Sequence, residues 1–445
     1  MNTLHLDSTK RVGRDNGYVV LHELHEDAEG EYGELDVPLE LNENKRTGSN
    51  FGAYFNVVCV IAGTGTLQIP FALQQAGWLG IILIFLGAAV ATYTGILLIK
   101  CLYYKGGDRL DGFPAIGEAA FGKFGRMLVN VFYYSILVGG ACVYLVLSGI
   151  NIDQIASARG STISLTTWIA IAALIIWVPF VACKSLKEVA ILAIFGAVAT
   201  GIVVVVTVVV GLEDLHQPKS APITHNILVI SNIPIALGSI GFSFGGNVIY
   251  PHVEETMKNP RAWPKVIIAA MSTCCAMYII IGIVGYRVYG NTTVSPILLN
   301  LPTGFATTLA TILITLHVIV AAPIYLTSCA LELETILKID RKYHTARNEF
   351  LLRFVLRTAM MIVLIAVGMT VPFVDDLMSL IGALATCMVL FILPIVFYWK
   401  LFGFKVMGKL ETAWCVFIIL FGIIGCVFGT LAAFRKLMED FAAHS

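Results

Sequence analysis

Charge is what this sequence has least of. Only 13% of its 445 residues are Asp, Glu, Lys or Arg, about half the share of an ordinary soluble domain. That supply cannot cover a water-soluble chain of this length, and with 58% hydrophobic residues most of the surface must face lipid. Positive and negative side chains balance at 29 each. No basic cluster is dense enough to suggest a nucleic-acid partner. The ten cysteines, Cys59, Cys101, Cys142, Cys183, Cys274, Cys275, Cys329, Cys387, Cys415 and Cys426, all lie in or beside apolar runs. None sits in a long polar loop and none has metal-ligand spacing, which argues against a disulfide framework and a zinc site. Their reading is small apolar filler. No Asp falls inside an apolar run, Asp375 and Asp376 standing at an edge. An intramembrane protease would need paired acids or a nucleophile–base pair at depth, so an enzyme is disfavoured. No cofactor, metal or obligate protein partner is implied.

Residues 1–50 differ from the rest. Between Glu23 and Glu43 lie nine carboxylates and no Lys or Arg, a composition that predicts a disordered acidic tail. It lacks the apolar stretch of a cleaved signal peptide, so the first apolar run is expected to direct insertion itself.

A membrane crossing takes about 20 mostly apolar residues. Such runs occur near 51–75, 79–102, 124–149, 166–183, 189–211, 232–253, 264–286, 304–331, 353–372, 376–398 and 411–434, which predicts eleven spans. The transmembrane domain is expected over 51–435, with a short tail at 436–445. Lys and Arg are held preferentially on the cytoplasmic side. With the N-terminus inside, the inner connections carry nineteen of them and the outer ones five, Arg159, Lys219, Arg287, Arg435 and Lys436. The opposite orientation reverses the bias. The sequon Asn291-Thr292-Thr293, a candidate glycosylation site, falls outside in this topology. Spans one to five recur as six to ten at an offset of about 180–190 residues. Five is odd, so the second copy lies inverted, an architecture shared by many secondary transporters. Span eleven stands apart.

Two polar, glycine-rich interruptions sit at equivalent places in the copies. Span one carries Ala62-Gly63-Thr64-Gly65-Thr66 before Pro70, and span six carries Gly241-Phe242-Ser243-Phe244-Gly245-Gly246-Asn247 before Pro251. Each interior glycine costs a helix about 1 kcal/mol relative to alanine. Unwound backbone is tolerated at membrane depth only where protein or a cavity satisfies it. Free N–H groups at a half-helix N-terminus suit a carboxylate, and free carbonyls suit an ammonium or a cation. A cavity with both suits an amino acid zwitterion. Close helix packing is the other use of such glycines, but a match across both copies favours broken helices. The predicted substrate-binding set is Ala62, Gly63, Thr64, Gly65, Thr66, Phe242, Ser243, Phe244, Gly245 and Gly246.

Gly63-Thr64-Gly65-Thr66-Leu67-Gln68-Ile69-Pro70-Phe71-Ala72, followed by Ala76-Gly77-Trp78, resembles the first helix of the amino acid/auxin permease family. Ala115-Ile116-Gly117-Glu118-Ala119-Ala120-Phe121-Gly122 resembles the family's loop before helix three. Phe242 to Asn247 leading into Pro251 resembles its sixth helix, and Gly285-Tyr286 with Tyr289-Gly290 the end of its seventh. The likeness covers roughly residues 51–435 and is nearest to the vacuolar and vesicular branch. It implies an all-α, leucine-transporter-like fold of eleven helices, a five-plus-five inverted repeat with one helix added, and proton-coupled amino acid movement. A plasma-membrane carrier would use the same machinery.

Coupling candidates are few. His317 lies in the middle of span eight, where an imidazole titrating near its ordinary value of about 6.5 suits a proton site; a neutral histidine bonded to a neighbouring helix fits as well. Thr327 and Ser328 are candidates for a sodium-type site. His252 and Glu255, with Glu254, stand at the inner end of span six as gating candidates, and Glu118 is expected to pair with Arg126 or Lys123. Tyr133 and Tyr134 could offer one hydroxyl to the pocket. A channel is disfavoured for want of a charged ring or filter loop.

Overall fold

The computed structural model of the chain describes residues 10–15, 18–26, 32–39, 46 and 48–444, apart from 105–108, 183–189, 219–221, 341–342 and 372. Lys105, Lys184, Lys187, Lys219, Arg341 and Lys342 of the charge count, and Cys183, lie outside the described residues. Long apolar runs become helices because lipid offers backbone N–H and C=O groups no partner, and a helix satisfies them internally. In chain order these are α1 (Asn50–Ile61), α2 (Thr64–Ala76), α3 (Gly80–Leu102), α4 (Phe113–Ser157), α5 (Leu165–Ala182), α6 (Ala190–Leu215), α7 (Ile233–Ser243), α8 (Tyr250–Thr256), α9 (Trp263–Tyr289), α10 (Phe305–Ile336) and α11 (Ala346–Thr370). Then follow α12 (Val374–Ile381), a π-helical stretch Gly382–Ile392, α13 (Leu393–Phe402) and α14 (Lys409–His444).

Among the described residues nine helices are long and apolar enough to cross a membrane, and the pair α1–α2, bent by 47°, makes a tenth crossing. The predicted eleven would require α7 and α8 to form one further broken span. Large apolar side chains such as Phe85, Leu174, Val205, Ile362 and Phe428 are exposed, as a lipid-facing surface requires.

The repeat shows in the packing. α6, the fifth span, lies against α1 and α9; its counterpart, the π stretch with α13, lies against α7 and α3. α4 and its counterpart α10 pack on each other across the middle. α14 has no counterpart and lies against α7, α12 and the π stretch, all in the second copy.

Three expectations need correction. The tail read as disordered contains an antiparallel sheet of β1 (Lys10–Asp15), β2 (Tyr18–Glu26) and β3 (Tyr32–Leu39), with Asp15 opposite Tyr18 and Glu26 opposite Tyr32. The β-branched run at Val19-Val20 favours such a strand, a local signal that net acidity outweighed. The short tail expected at 436–445 is helical as far as His444, where α14 ends, and Lys436 is tied into the body. The third is the approach to span three. Phe113–Ala120 is helical, and the chain turns at Phe121 (φ −135°) and Gly122 (φ +64°) before the membrane-crossing part of α4 begins. A positive φ is open to glycine at little cost.

Candidate functional site

α1 ends at Ile61 and α2 begins at Thr64, with Ala62 and Gly63 between them outside regular helix. α7 ends at Ser243, and Phe244–Ile249 run without helix to α8. The two interruptions face each other. A Cβ on Gly65 would stand 2.7 Å from the Ser243 Cα, and the Ser243 hydroxyl donates to the Gly65 carbonyl at 3.1 Å. Both breaks are pinned from α9: the buried Tyr278 hydroxyl lies 2.6 Å from the Ile61 carbonyl and 2.7 Å from the Ser243 carbonyl. One hydroxyl carries one proton, so these two acceptors share a single donor. Sequence reasoning left such carbonyls for an ammonium and did not find Tyr278. Its signal, a tyrosine mid-span in an apolar run, has many bland explanations.

A cavity opens at this junction. It is lined by Val60, Ile61, Thr64 and Gly65 from the first break, Phe242 and Gly245 from the second, Ile136, Gly140 and Tyr144 of α4, Tyr325 of α10 and Thr386 of the π stretch. Its free volume of about 20 Å³ holds about one water. Four of the ten predicted residues therefore line it: Thr64, Gly65, Phe242 and Gly245. The other six support the walls. Thr66 donates to the Ala62 carbonyl at 2.8 Å, Ser243 is spent on Gly65 and on the Ser239 carbonyl at 2.8 Å, and Phe244 turns away to pack on Tyr278 with ring centroids 5.0 Å apart. Gly246 backs onto Ile61 and Tyr250, and Gly63 faces His317 and Tyr144. Tyr133 and Tyr134 pack edge-on against each other, neither lining the cavity; the α4 tyrosine that does is Tyr144, set against Tyr325 at 5.3 Å.

His317 is 2% exposed and its Nε2 has no hydrogen-bond partner among the described residues. It lies against Gly63 of the first break on one side and Gly196 of α6 on the other. The alternative of a neutral histidine bonded to a neighbouring helix finds no such bond at Nε2 among the described residues. Thr327 is 1% exposed with a hydroxyl unpartnered among the described residues, Ser328 is half-buried, and their helix α10 packs chiefly on α4 and α6.

Two polar networks join the helices that carry the breaks to their neighbours. On the N-terminal side the buried member is Glu254, fully enclosed, whereas His252 is exposed and Glu255 half-buried. Arg109 Nε donates to Glu254 at 2.8 Å, Tyr103 donates its hydroxyl to the same carboxylate, and Arg46 donates to Tyr103 at 3.2 Å. Burial, then the bond to Glu254, pushes the Tyr103 phenol above its ordinary range, so it remains a donor. Sequence reasoning underrated Glu254 because its partners lie about 145 residues away in the chain. Glu118 does pair with Arg126, at 2.7 Å and largely exposed, a contact of little energetic weight. Toward the far side, Gln68 donates to Ser239 at 3.1 Å, Ser239 bonds Ser379 at 3.0 Å, and Lys436 reaches Asp375 and Asp376 at 2.5 and 2.6 Å. Asp376, at the edge of its apolar run, is 1% exposed and is met there by Lys436 of α14. Asn291 has its amide engaged with Thr224 at 3.0 Å and with Asn226 at 3.3 Å, fastening the 224–227 segment to the end of α9. Among the described residues no cluster of His, Cys, Asp and Glu is placed to hold a metal.

The profile described as transmembrane amino acid transporter protein matches residues 46–435. This chain belongs to that family. The transporter resembles, among curated proteins of Arabidopsis thaliana, amino acid transporter AVT1C at 28% identity, over 91% of this chain and 72% of the relative. It also resembles amino acid transporter AVT1I, at 29% identity over 89% of this chain and 97% of the relative. Among solved structures it is similar to the inward-facing conformation of Mhp1, with a TM-score of 0.56 at 12% identity over 90% and 92% of the two chains. It is likewise similar to MhsT in complex with L-phenylalanine, with a TM-score of 0.54 at 11% identity over 89% and 99%. At such identity these likenesses speak to the fold, the leucine-transporter-like inverted repeat. The transporter is therefore a multi-pass membrane protein of a family that carries amino acids.

Proposed function

We propose that this transporter moves neutral, zwitterionic amino acids, coupled to protons, by alternating access. The observation that carries the reading is the junction of the two breaks. The α2 N-terminus offers backbone N–H groups at Thr64 and Gly65 to a carboxylate, within a cavity otherwise walled by Phe242, Ile136 and two tyrosines. Among the described residues no charged side chain lines that cavity, which favours a substrate whose own charges cancel. At about 20 Å³ it is too small for an amino acid, and we read the networks at Glu254 and Lys436 as its two closures. Substrate entry then requires one closure to release, which is the essence of alternating access.

His317 supports the proton reading: buried, unpartnered at Nε2 among the described residues, and against Gly63 of the first break. An ionisable group buried at membrane depth is a coupling candidate. A sodium-coupled carrier is the second reading, supported by the buried Thr327 hydroxyl, which also lacks a described partner. A vacuolar or vesicular membrane rests on sequence resemblance, and a plasma-membrane carrier has the same requirements. The deciding experiment is amino acid flux into vesicles holding the purified chain, with an imposed pH gradient, a sodium gradient or neither. Flux that follows the pH gradient supports the proposal; flux that follows sodium alone replaces it with the second reading.

A further inference from the structure

On the N-terminal side of the membrane domain, α3 and α9 part to form a crevice of about 690 Å³. Three cations stand around it, Arg46, Lys100 and Arg261, and among the described residues no carboxylate lines it. Lys100 and Arg261 are exposed and make no ion pair with any described residue. Arg46 is shared, 3.2 Å from the Tyr103 hydroxyl and 4.0 Å from Glu254 beneath the wall. The rest of the lining is apolar or aromatic, with Trp263 and Phe402 prominent. A soluble anion has no use for such a floor.

A second groove lies between the same two helices, nearer their middles. Further along α3, Ala88 and Thr92 face Met271 and Cys275 of α9 across an apolar groove of about 540 Å³. Cations at the membrane surface over an apolar channel running to depth match the two parts of one molecule, a phosphate-bearing headgroup and its acyl chains.

We propose that the α3–α9 seam binds an anionic phospholipid from the leaflet on the N-terminal side, its phosphate held by Lys100, Arg261 and Arg46 and its chains laid against Ala88, Thr92, Met271 and Cys275. That leaflet is the negatively charged one if the N-terminus is cytoplasmic, as the Lys and Arg bias predicts. A phosphate at this place competes with Glu254 and Tyr103 for Arg46. The bound lipid thereby loosens the closure below the cavity and speeds flux; this consequence rests on the transport reading, and the binding does not.

The test is lipid retention by the full-length chain, read by native mass spectrometry after mixing with phosphatidylinositol phosphate or phosphatidylcholine. The wild-type chain is expected to keep the anionic lipid in preference. The Lys100→Gln/Arg261→Gln double variant is expected to lose that preference by about thirtyfold, and Lys100→Arg/Arg261→Lys to keep it. Equal retention by the wild type and the glutamine variant overturns the site. Soluble inositol phosphate that displaces the lipid at equal concentration also overturns it, because the acyl groove would then contribute nothing. In phosphatidylcholine vesicles the glutamine variant should carry amino acids as the wild type does, and only the wild type should gain several-fold in flux when anionic lipid is added. A chain that binds the lipid but carries no amino acid would sink the transport reading and leave the site standing.

Discussion

Gly65 and Ser243 approach so closely that a single methyl group on the first would stand 2.7 Å from the Cα of the second. The contact is backbone to backbone, with the Ser243 hydroxyl closing on the Gly65 carbonyl, so no side chain can swing aside. Gly65→Ala is expected to force α2 and α7 apart and to abolish amino acid flux while the chain still inserts and elutes as a folded particle. Wild-type flux would show that the junction is not the working part.

Tyr278→Phe keeps the ring packing and removes only the hydroxyl shared by Ile61 and Ser243. A hydrogen bond of this kind inside a membrane protein is worth about 1 kcal/mol. The apparent substrate affinity should weaken roughly fivefold, seen as a raised KM for flux, because the two breaks are then no longer held in register. An unchanged KM with a lowered maximal rate would place Tyr278 in the conformational step instead.

Glu254→Gln leaves Arg109 without its buried counter-charge, a strongly destabilising change where the ion pair is enclosed. The closure on the N-terminal side should open. With Thr64→Cys as a reporter, the thiol is expected to react with a membrane-impermeant reagent from that side at least about tenfold faster when Glu254→Gln is also present. No change in labelling would remove Glu254 from the closure.

For His317→Gln the expected outcome is flux that no longer varies with pH between about 5 and 8, the range in which histidine ordinarily changes charge. A profile identical to the wild type would return His317 to the role of a packed side chain beside Gly63 and Gly196.

The spans were legible because lipid imposes one simple demand, an apolar run of sufficient length. The breaks were legible because Gly63, Gly65, Gly245 and Gly246 cluster where a helix should not be interrupted. What the sequence could not order was the direction in which side chains point around an unwound segment. Phe242 and Phe244 are two residues apart, yet one lines the cavity and the other packs on Tyr278. Long-range pairs were equally hidden. Glu254, Asp376 and Lys436 were all visible as charges near span ends, but their burial depends on helices distant in sequence. Tyr144 was passed over for Tyr133 and Tyr134 because only the depth of α4 in the bundle tells them apart.

The helix outside the repeat has a thermodynamic meaning. α14 packs against α7, α12 and the π stretch, and through Lys436 it fastens Asp375 and Asp376. Among the described residues nothing equivalent braces α1, α6 or their neighbours in the first copy. Two inverted halves of identical stiffness would leave the inward- and outward-open forms equal in free energy. A brace on one half alone removes that degeneracy, so the empty carrier has a preferred side on which to wait for its substrate.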